Sequence, residues 1–209
     1  MSVLSRCLFL PVIVVFSGCI TTSIEPESSA CPGARYADAV DSPYAIPFPV
    51  GSAVATGLAN CSRSYHSRGL PDQFATDFDL PEGTHFLAAR GGVVSFVQED
   101  QPSYGGGDSQ ILRGNGVFVD HGDGTTALYL HSPMNGVWVE VGDTVAVGDT
   151  LGLVGASGLA GYPHLHFIVV TGAVDYPYTG VPVSFRNPEP RDVPLRSFAR
   201  YNVGPVGGM

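Results

Sequence analysis

The sequence predicts an all-β fold, a compact antiparallel sandwich or barrel, and three observations carry that prediction. Short runs rich in β-branched and aromatic residues recur between about Ile46 and Arg186: Val93–Val97, Val117–Val119, Thr126–Leu130, Val137–Val141, Thr150–Val154 and His164–Val170. Turn signals separate them, among them Arg90-Gly91-Gly92, Gly114-Asn115-Gly116, Gly122-Asp123-Gly124 and Ala156-Ser157-Gly158. No stretch keeps an apolar helical period over three turns. The composition agrees, because 27 glycines and 17 prolines in 209 residues, with only 14% charged, suit tight loops better than long surface helices. At 44% hydrophobic, the chain can build a core, which argues against global disorder.

From the N-terminus, residues 1–18 read as an export signal: Arg6 supplies a positive charge, an apolar run follows from Leu8 to Phe16, and Ser17-Gly18 are small. That run is shorter than the ~20 residues a membrane-spanning helix needs. Small residues followed directly by Cys19 resemble a bacterial lipobox, which implies a lipidated Cys19 at the mature N-terminus. The alternative is an ordinary secretory signal with an incidental cysteine. Ile20 after the cysteine, by resemblance to enterobacterial lipoproteins, implies a periplasmic domain anchored to the inner leaflet of the outer membrane. Residues 19–45, rich in Ser, Thr, Pro and Glu, read as a tether with a local reach of about 25–30 Å. The folded domain is expected over 46–190, and 191–209 as a loosely ordered C-terminal tail. Two thiols in an exported chain commonly pair, so Cys31 and Cys61 are expected to form a disulfide that ties the N-terminal arm to the domain, the alternative being two unpaired thiols.

Charge excludes several function classes. The formal net charge is −9, and all ten basic residues are arginines. A nucleic-acid partner needs a basic face, which this balance does not offer. Without lysine there is no Schiff base, no P-loop lysine, and no biotinyl or lipoyl attachment. The last point matters because Val141-Gly142-Asp143-Thr144-Val145 recurs as Val147-Gly148-Asp149-Thr150-Leu151, a pattern that also resembles carrier domains. Here it is expected to be a structural element.

The chemistry sits in the histidines. His164-Leu165-His166 precedes β-branched residues, so on a strand His164 and His166 face the same way and Leu165 faces the other. Two imidazoles on one face can share a metal or divide labour around one, or they can be a solvated polar pair. Asp77 lies among aromatic residues in Phe74-Ala75-Thr76-Asp77-Phe78, where a carboxylate is costly unless hydrogen-bonded, paired or metal-bound. Asp79 is the rival carboxylate, and it precedes a turn at Leu80–Gly83. His131 ends the apolar run Ala127–Leu130, at a strand end suited to a cleft. His121 sits in a turn and reads as structural.

Taken in order, these segments resemble the LytM/lysostaphin-type zinc endopeptidases. The resemblance runs over roughly residues 60–185: His66 with Asp77, Leu80–Val94, Gly114–Thr125 with Tyr129-Leu130-His131, Val141–Gly158, and Pro163–Phe167. It implies the family's antiparallel barrel-sandwich, a duplicated hybrid motif with long loops. It also implies one Zn²⁺ held by His66, Asp77 and His166, with His131 and His164 as the catalytic non-ligand histidines. Three protein ligands leave a fourth tetrahedral position for water. Ten residues separate His66 from Asp77, more than in the best-known members, and His85 is the alternative first ligand. The loop Glu99–Arg113, rich in Gly and Ser, is a second departure from the family pattern and is expected to border the substrate groove and alter specificity. The implied activity is zinc-dependent hydrolysis of peptide bonds in peptidoglycan stem peptides or cross-bridges. The competing reading is a non-catalytic envelope protein on the same fold that binds the wall or activates an amidase.

Overall fold

Two strands buried on both faces, Thr125–Ser132 and Leu165–Thr171, pair antiparallel at the centre of the molecule. The structure, a computed structural model, describes residues 30–102 and 114–206. Among them lie β1 (Ala53–Thr56), β2 (Thr76–Asp79), β3 (His85–Leu87), β4 (Gly92–Gln98), β5 (Asn115–Asp120), β6 (Thr125–Ser132) and β7 (Thr144–Val145). β8 (Thr150–Leu153), β9 (Leu165–Thr171), β10 (Thr179–Gly180), β11 (Pro188–Glu189) and β12 (Arg200–Val203) complete the set. The large sheet runs β11-β12-β1-β2-β9-β6-β5-β4-β7, with β10 also on β9, and β3 pairs with β8 in a small second sheet. The fold is all-β and antiparallel, as the sequence predicts.

Alternation sorts the central strands between two apolar clusters. Tyr129 and Ala127 of β6, with Leu165, Phe167 and Val169 of β9, enter the larger one, where Phe78, Phe86, Leu151 and Phe185 also pack. Leu128 and Leu130 of β6, with Ile168 and Val170 of β9, face the other way and meet Ala75, Phe118 and Tyr178. Each fully buried Leu, Ile or Phe contributes about 1.5–3 kcal/mol by leaving water. The smaller cluster shares its sheet face with the histidines described below, so it supports the site from beneath.

Three segments depart from the sequence reading. Val137–Val141 forms no strand; only Val137 bridges Gly152. The chain turns there because the Asp143 carboxylate accepts the Glu140 N–H at 2.8 Å and Gly142 takes φ 99°. Asp149 accepts the Ala146 N–H at 2.8 Å in the same way, so the Val-Gly-Asp-Thr repeat is a repeated turn.

The packed region also extends past 46–190 at both ends. Within the segment read as a tether, Tyr44 and Ala45 are buried, and a disulfide joins Cys31 to Cys61. Within the segment read as a tail, β12 pairs with both β1 and β11, and Leu195, Tyr201 and Val203 are buried. The physical reason is the same at each end: sparse apolar residues, separated by prolines and polar side chains, still find a groove or sheet edge to cover. Residues 1–29, with the stretch read as an export signal and Cys19, lie outside the described residues, as do 103–113 of the Glu99–Arg113 loop.

Candidate metal centre and active site

The site begins with strand register. β2 pairs with β9 so that Asp77 stands opposite His166, and β9 pairs with β6 so that His166 stands opposite Leu130. Asp77 therefore reaches His166 across the ladder, and its Oδ1 lies 2.9 Å from His166 Nδ1. Phe78, one residue on, faces the large core and is fully buried, which fixes the direction of Asp77.

His66 arrives from outside the sheet. It ends a single 3₁₀ turn, Ser64–His66, five residues after the disulfide at Cys61. The Cys61 N–H donates to the Gln73 carbonyl at 2.7 Å, and Asn60 Nδ2 donates to the carbonyls of Phe74 and Ala75 at 3.1 Å. This loop thus lies along the start of β2. His66 Nε2 comes to 3.3 Å from Asp77 Oδ2, and the His66 and His166 rings meet edge-on at 5.3 Å.

His131 depends on an irregularity. Asn115 pairs with Ser132 and Gly116 with Leu130, so His131 has no partner on β5 and forms a bulge. Its φ of 77° lies in the left-handed region, a conformation costing on the order of 1–3 kcal/mol for a non-glycine residue. Strict alternation would have sent its side chain toward the large core with Tyr129. The bulge instead sets its ring 4.7 Å from His164 and 5.7 Å from His166. His131 Nδ1 lies 2.8 Å from the Ser157 carbonyl, and His164 Nδ1 lies 2.9 Å from the Tyr162 carbonyl. A carbonyl only accepts, so in both rings Nδ1 carries the proton and Nε2 keeps a lone pair toward the cavity.

Two overlapping groups result. One donor atom each from His66, Asp77 and His166 lies within 4.8 Å of the others, and the same holds for His131, His164 and His166. All five side chains are buried. They line a cavity of about 470 Å³ whose walls include Tyr65, Tyr162, Tyr176 and Leu159. His85, the alternative first ligand, stands elsewhere: it is exposed on β3 and packs edge-on against Trp138 at 4.7 Å. His121 serves its turn, with Nδ1 2.9 Å from the Gly91 carbonyl.

Electrostatics set the protonation. Burial pushes the Asp77 carboxyl up, but the charges and hydrogen bonds of His66 and His166 prevail and hold it well below the usual carboxylate range. Burial pushes His166 down, yet the carboxylates of Asp72 and Asp77 outweigh it and raise it. Burial, reinforced by the charges of His164 and His166, takes His131 down to about 3. Burial likewise lowers His164. Burial first, and Asp77 second, raise Asp79 to about 6. No arginine lines the cavity among the described residues. The buried Asp77 charge is therefore balanced by imidazolium, or by a metal cation in its place. Two imidazoles and one carboxylate form a donor set that suits Zn²⁺.

A match to the family described as Peptidase family M23 covers residues 72–176, about half of the chain. The chain belongs to that family. The matched stretch contains Asp77, His131, His164 and His166, and His66 lies just before it. Among solved structures, the M23 metalloprotease pseudoalterin from the deep sea is 20% identical, with a TM-score of 0.51 over 75% of this chain and 84% of that one, a likeness of fold. A putative peptidase M23 from Pseudomonas aeruginosa is 28% identical, with a TM-score of 0.45 over 71% of this chain. The present chain covers 52% of that protein, about half its length. The catalytic domain of the prophage-encoded M23 protein EnpA from Enterococcus faecalis is 26% identical, with a TM-score of 0.48 over 66% of this chain and 94% of that domain.

Sequence reasoning did not single out Asp72, Ser157 or Tyr178. The first touches His166, the second holds His131 by its carbonyl, and the third touches Asp72. A carbonyl contact leaves no trace in residue type. Asp72 follows a proline and reads as an ordinary turn residue.

Proposed function

We propose that the protein is a zinc-dependent endopeptidase that cuts peptide bonds in peptidoglycan stem peptides or cross-bridges. One observation carries the reading: His66, Asp77 and His166 converge on a common centre while His131 and His164 present Nε2 to the same cavity. Zn²⁺ held by the first three residues would polarise the scissile carbonyl and lower the pKa of a bound water toward ~7.

The chain's own side chains supply the rest. His131 is neutral and its Nε2 lone pair is free, so it accepts the proton of the attacking water. Its Nδ1–H stays committed to the Ser157 carbonyl, which keeps the ring from turning. His164, held by the Tyr162 carbonyl, turns its Nε2 lone pair to the same cavity, where it orients the water by accepting one of its hydrogens. Tyr65, Tyr162 and Tyr176 give the extended peptide apolar walls with polar edges. The peptidoglycan class is supported by the sequence resemblance to LytM/lysostaphin-type enzymes. A lipid on Cys19 would hold the domain in the periplasm at the outer membrane, within reach of the wall.

Purified sacculi digested with and without chelator, followed by mass analysis of the fragments, test the activity. His166→Ala should lose both zinc and muropeptide release. His131→Ala should keep zinc and lose about 10²–10⁴-fold in rate. Wild-type protein that holds zinc but releases nothing would favour the non-catalytic envelope role, and full activity in His131→Ala would reject the mechanism.

A further inference from the structure

His166 is held from both sides. Asp77 Oδ1 stands 2.9 Å from Nδ1, and on the far side Asp72 Oδ1 stands 3.4 Å from Nε2. The Asp72 carboxylate is not needed for the turn in which it sits, because that turn is closed by its main chain: the Ala75 N–H donates to the Asp72 carbonyl at 2.9 Å. Nor is the carboxylate solvated, its side chain being 14% exposed and that of His166 9%. A second partner steadies it, since the Tyr178 hydroxyl donates to the same Oδ1. Tyr178 belongs to the small apolar cluster with Ala75 and Ile168, so its hydroxyl is delivered by a packed ring.

We propose that Asp72, steadied by Tyr178, is the positioning residue of the metal centre, fixing the His166 tautomer so that Nδ1 is the nitrogen offered to the metal. The inference rests on the zinc-site reading above. Its logic is proton accounting. A neutral imidazole has one N–H and one lone pair. If the proton sat on Nδ1, it would be donated to Asp77, and the metal-facing nitrogen would be blocked. Asp72 draws the proton to Nε2, which frees Nδ1 and makes it a stronger donor. Asp77 is then released from His166 and offers its own oxygens to the metal. His131 and His164 are arranged differently, since both are backed by carbonyls at Nδ1 and present Nε2.

The test measures zinc dissociation constants for the wild type, Asp72→Asn, Asp72→Ala and Tyr178→Phe by competition with a chromogenic chelator, using the full mature chain. Cobalt-substituted samples report ligand geometry through their visible bands. Removing Asp72 should weaken zinc about 10–100-fold and change the cobalt spectrum. Asp72→Glu should recover part of the affinity, and Tyr178→Phe should lose a few-fold. Wild-type zinc affinity in folded Asp72→Asn and Asp72→Ala overturns the proposal and leaves the zinc-site reading standing. An affinity loss that merely follows a loss of apo-protein stability, with Tyr178→Phe unchanged, also overturns it. Wild-type protein that binds no zinc overturns both.

Discussion

Replacing Ser157 with alanine separates two jobs that one residue performs. Its hydroxyl accepts the Asn115 N–H at 2.8 Å and donates to the Ser132 carbonyl at 2.5 Å. Its carbonyl, which the substitution leaves in place, receives His131 Nδ1 at 2.8 Å. Ser157, Asn115 and Ser132 have no solvent exposure, so the alanine variant strands a buried donor and a buried acceptor. At roughly 1–3 kcal/mol for each unsatisfied group, the loss is about 3 kcal/mol, since only one oxygen is removed and no methyl-sized cavity opens. A domain of this size loses about 3 °C of Tm per kcal/mol, so a drop of about 9 °C is expected. Calorimetry of the zinc-loaded variant measures it, alongside peptide hydrolysis at a temperature well below the transition. Activity there should stay within a few-fold of wild type. A Tm within about 2 °C of wild type would show that the two groups are not stranded. A folded but inactive variant would show that the carbonyl alone does not hold His131.

Two further predictions concern the ends of the pH scale and of the chain. Replacing Cys31 and Cys61 together with alanine opens a crosslink spanning 30 residues and should cost about 3–4 kcal/mol, read as a lower denaturant midpoint; equal midpoints for oxidised and reduced wild type would refute it. For the metal-free protein, burial takes His131 down to about 3, whereas the unfolded ring titrates near 6.5. The neutral ring's contribution is thus fully present above about pH 6.5 and is lost as pH falls toward 3. His131→Gln should flatten the stability–pH curve in that window, and an unchanged slope would contradict the burial of a neutral ring.

Much of this was legible in the sequence because it rests on alternation. The runs at Val93, Val117, Thr126, Thr150 and His164 all became strands, and His164 and His166 share a face with Leu165 turned to the core. The five clustered side chains were legible as residue types in order along the chain. Short strands with little apolar pattern were not. Ala53–Thr56 and Arg200–Val203 are strands because of the partners they find in the sheet, among them each other, a contact some 145 residues apart that local composition does not encode. The end strands fold for the same reason: the sheet edge, rather than their own sequence, decides them. Nor does composition reveal which of His66 and His85 reaches Asp77. That choice is made by a loop whose course is set by the disulfide and by main-chain hydrogen bonds to Gln73, Phe74 and Ala75.

The bulge at His131 shows why residue order alone underdetermines such a site. On a regular strand, residues 129 and 131 point together, and the ring of His131 would lie beside Tyr129 in the large core, a buried polar group without use. One unpaired residue reverses it. The backbone cost of that reversal, on the order of 1–3 kcal/mol, is offset by neighbours that admit no other course. Gly155 lets Pro133 approach, since a Cβ there would come within 2.5 Å of the Pro133 nitrogen, and the Ser157 N–H reaches the His131 carbonyl at 3.3 Å. The His131 ring is thus fixed from behind by one main-chain carbonyl and its backbone by the same loop, residues 155–157. A proton acceptor built this way keeps a free nitrogen and a fixed direction without a charged partner. His166, backed by a carboxylate, is electron-rich and suits a cation, whereas His131, backed by a carbonyl, remains a neutral base. On the proposed reading, the two roles differ less in the imidazoles than in the oxygen placed behind each one.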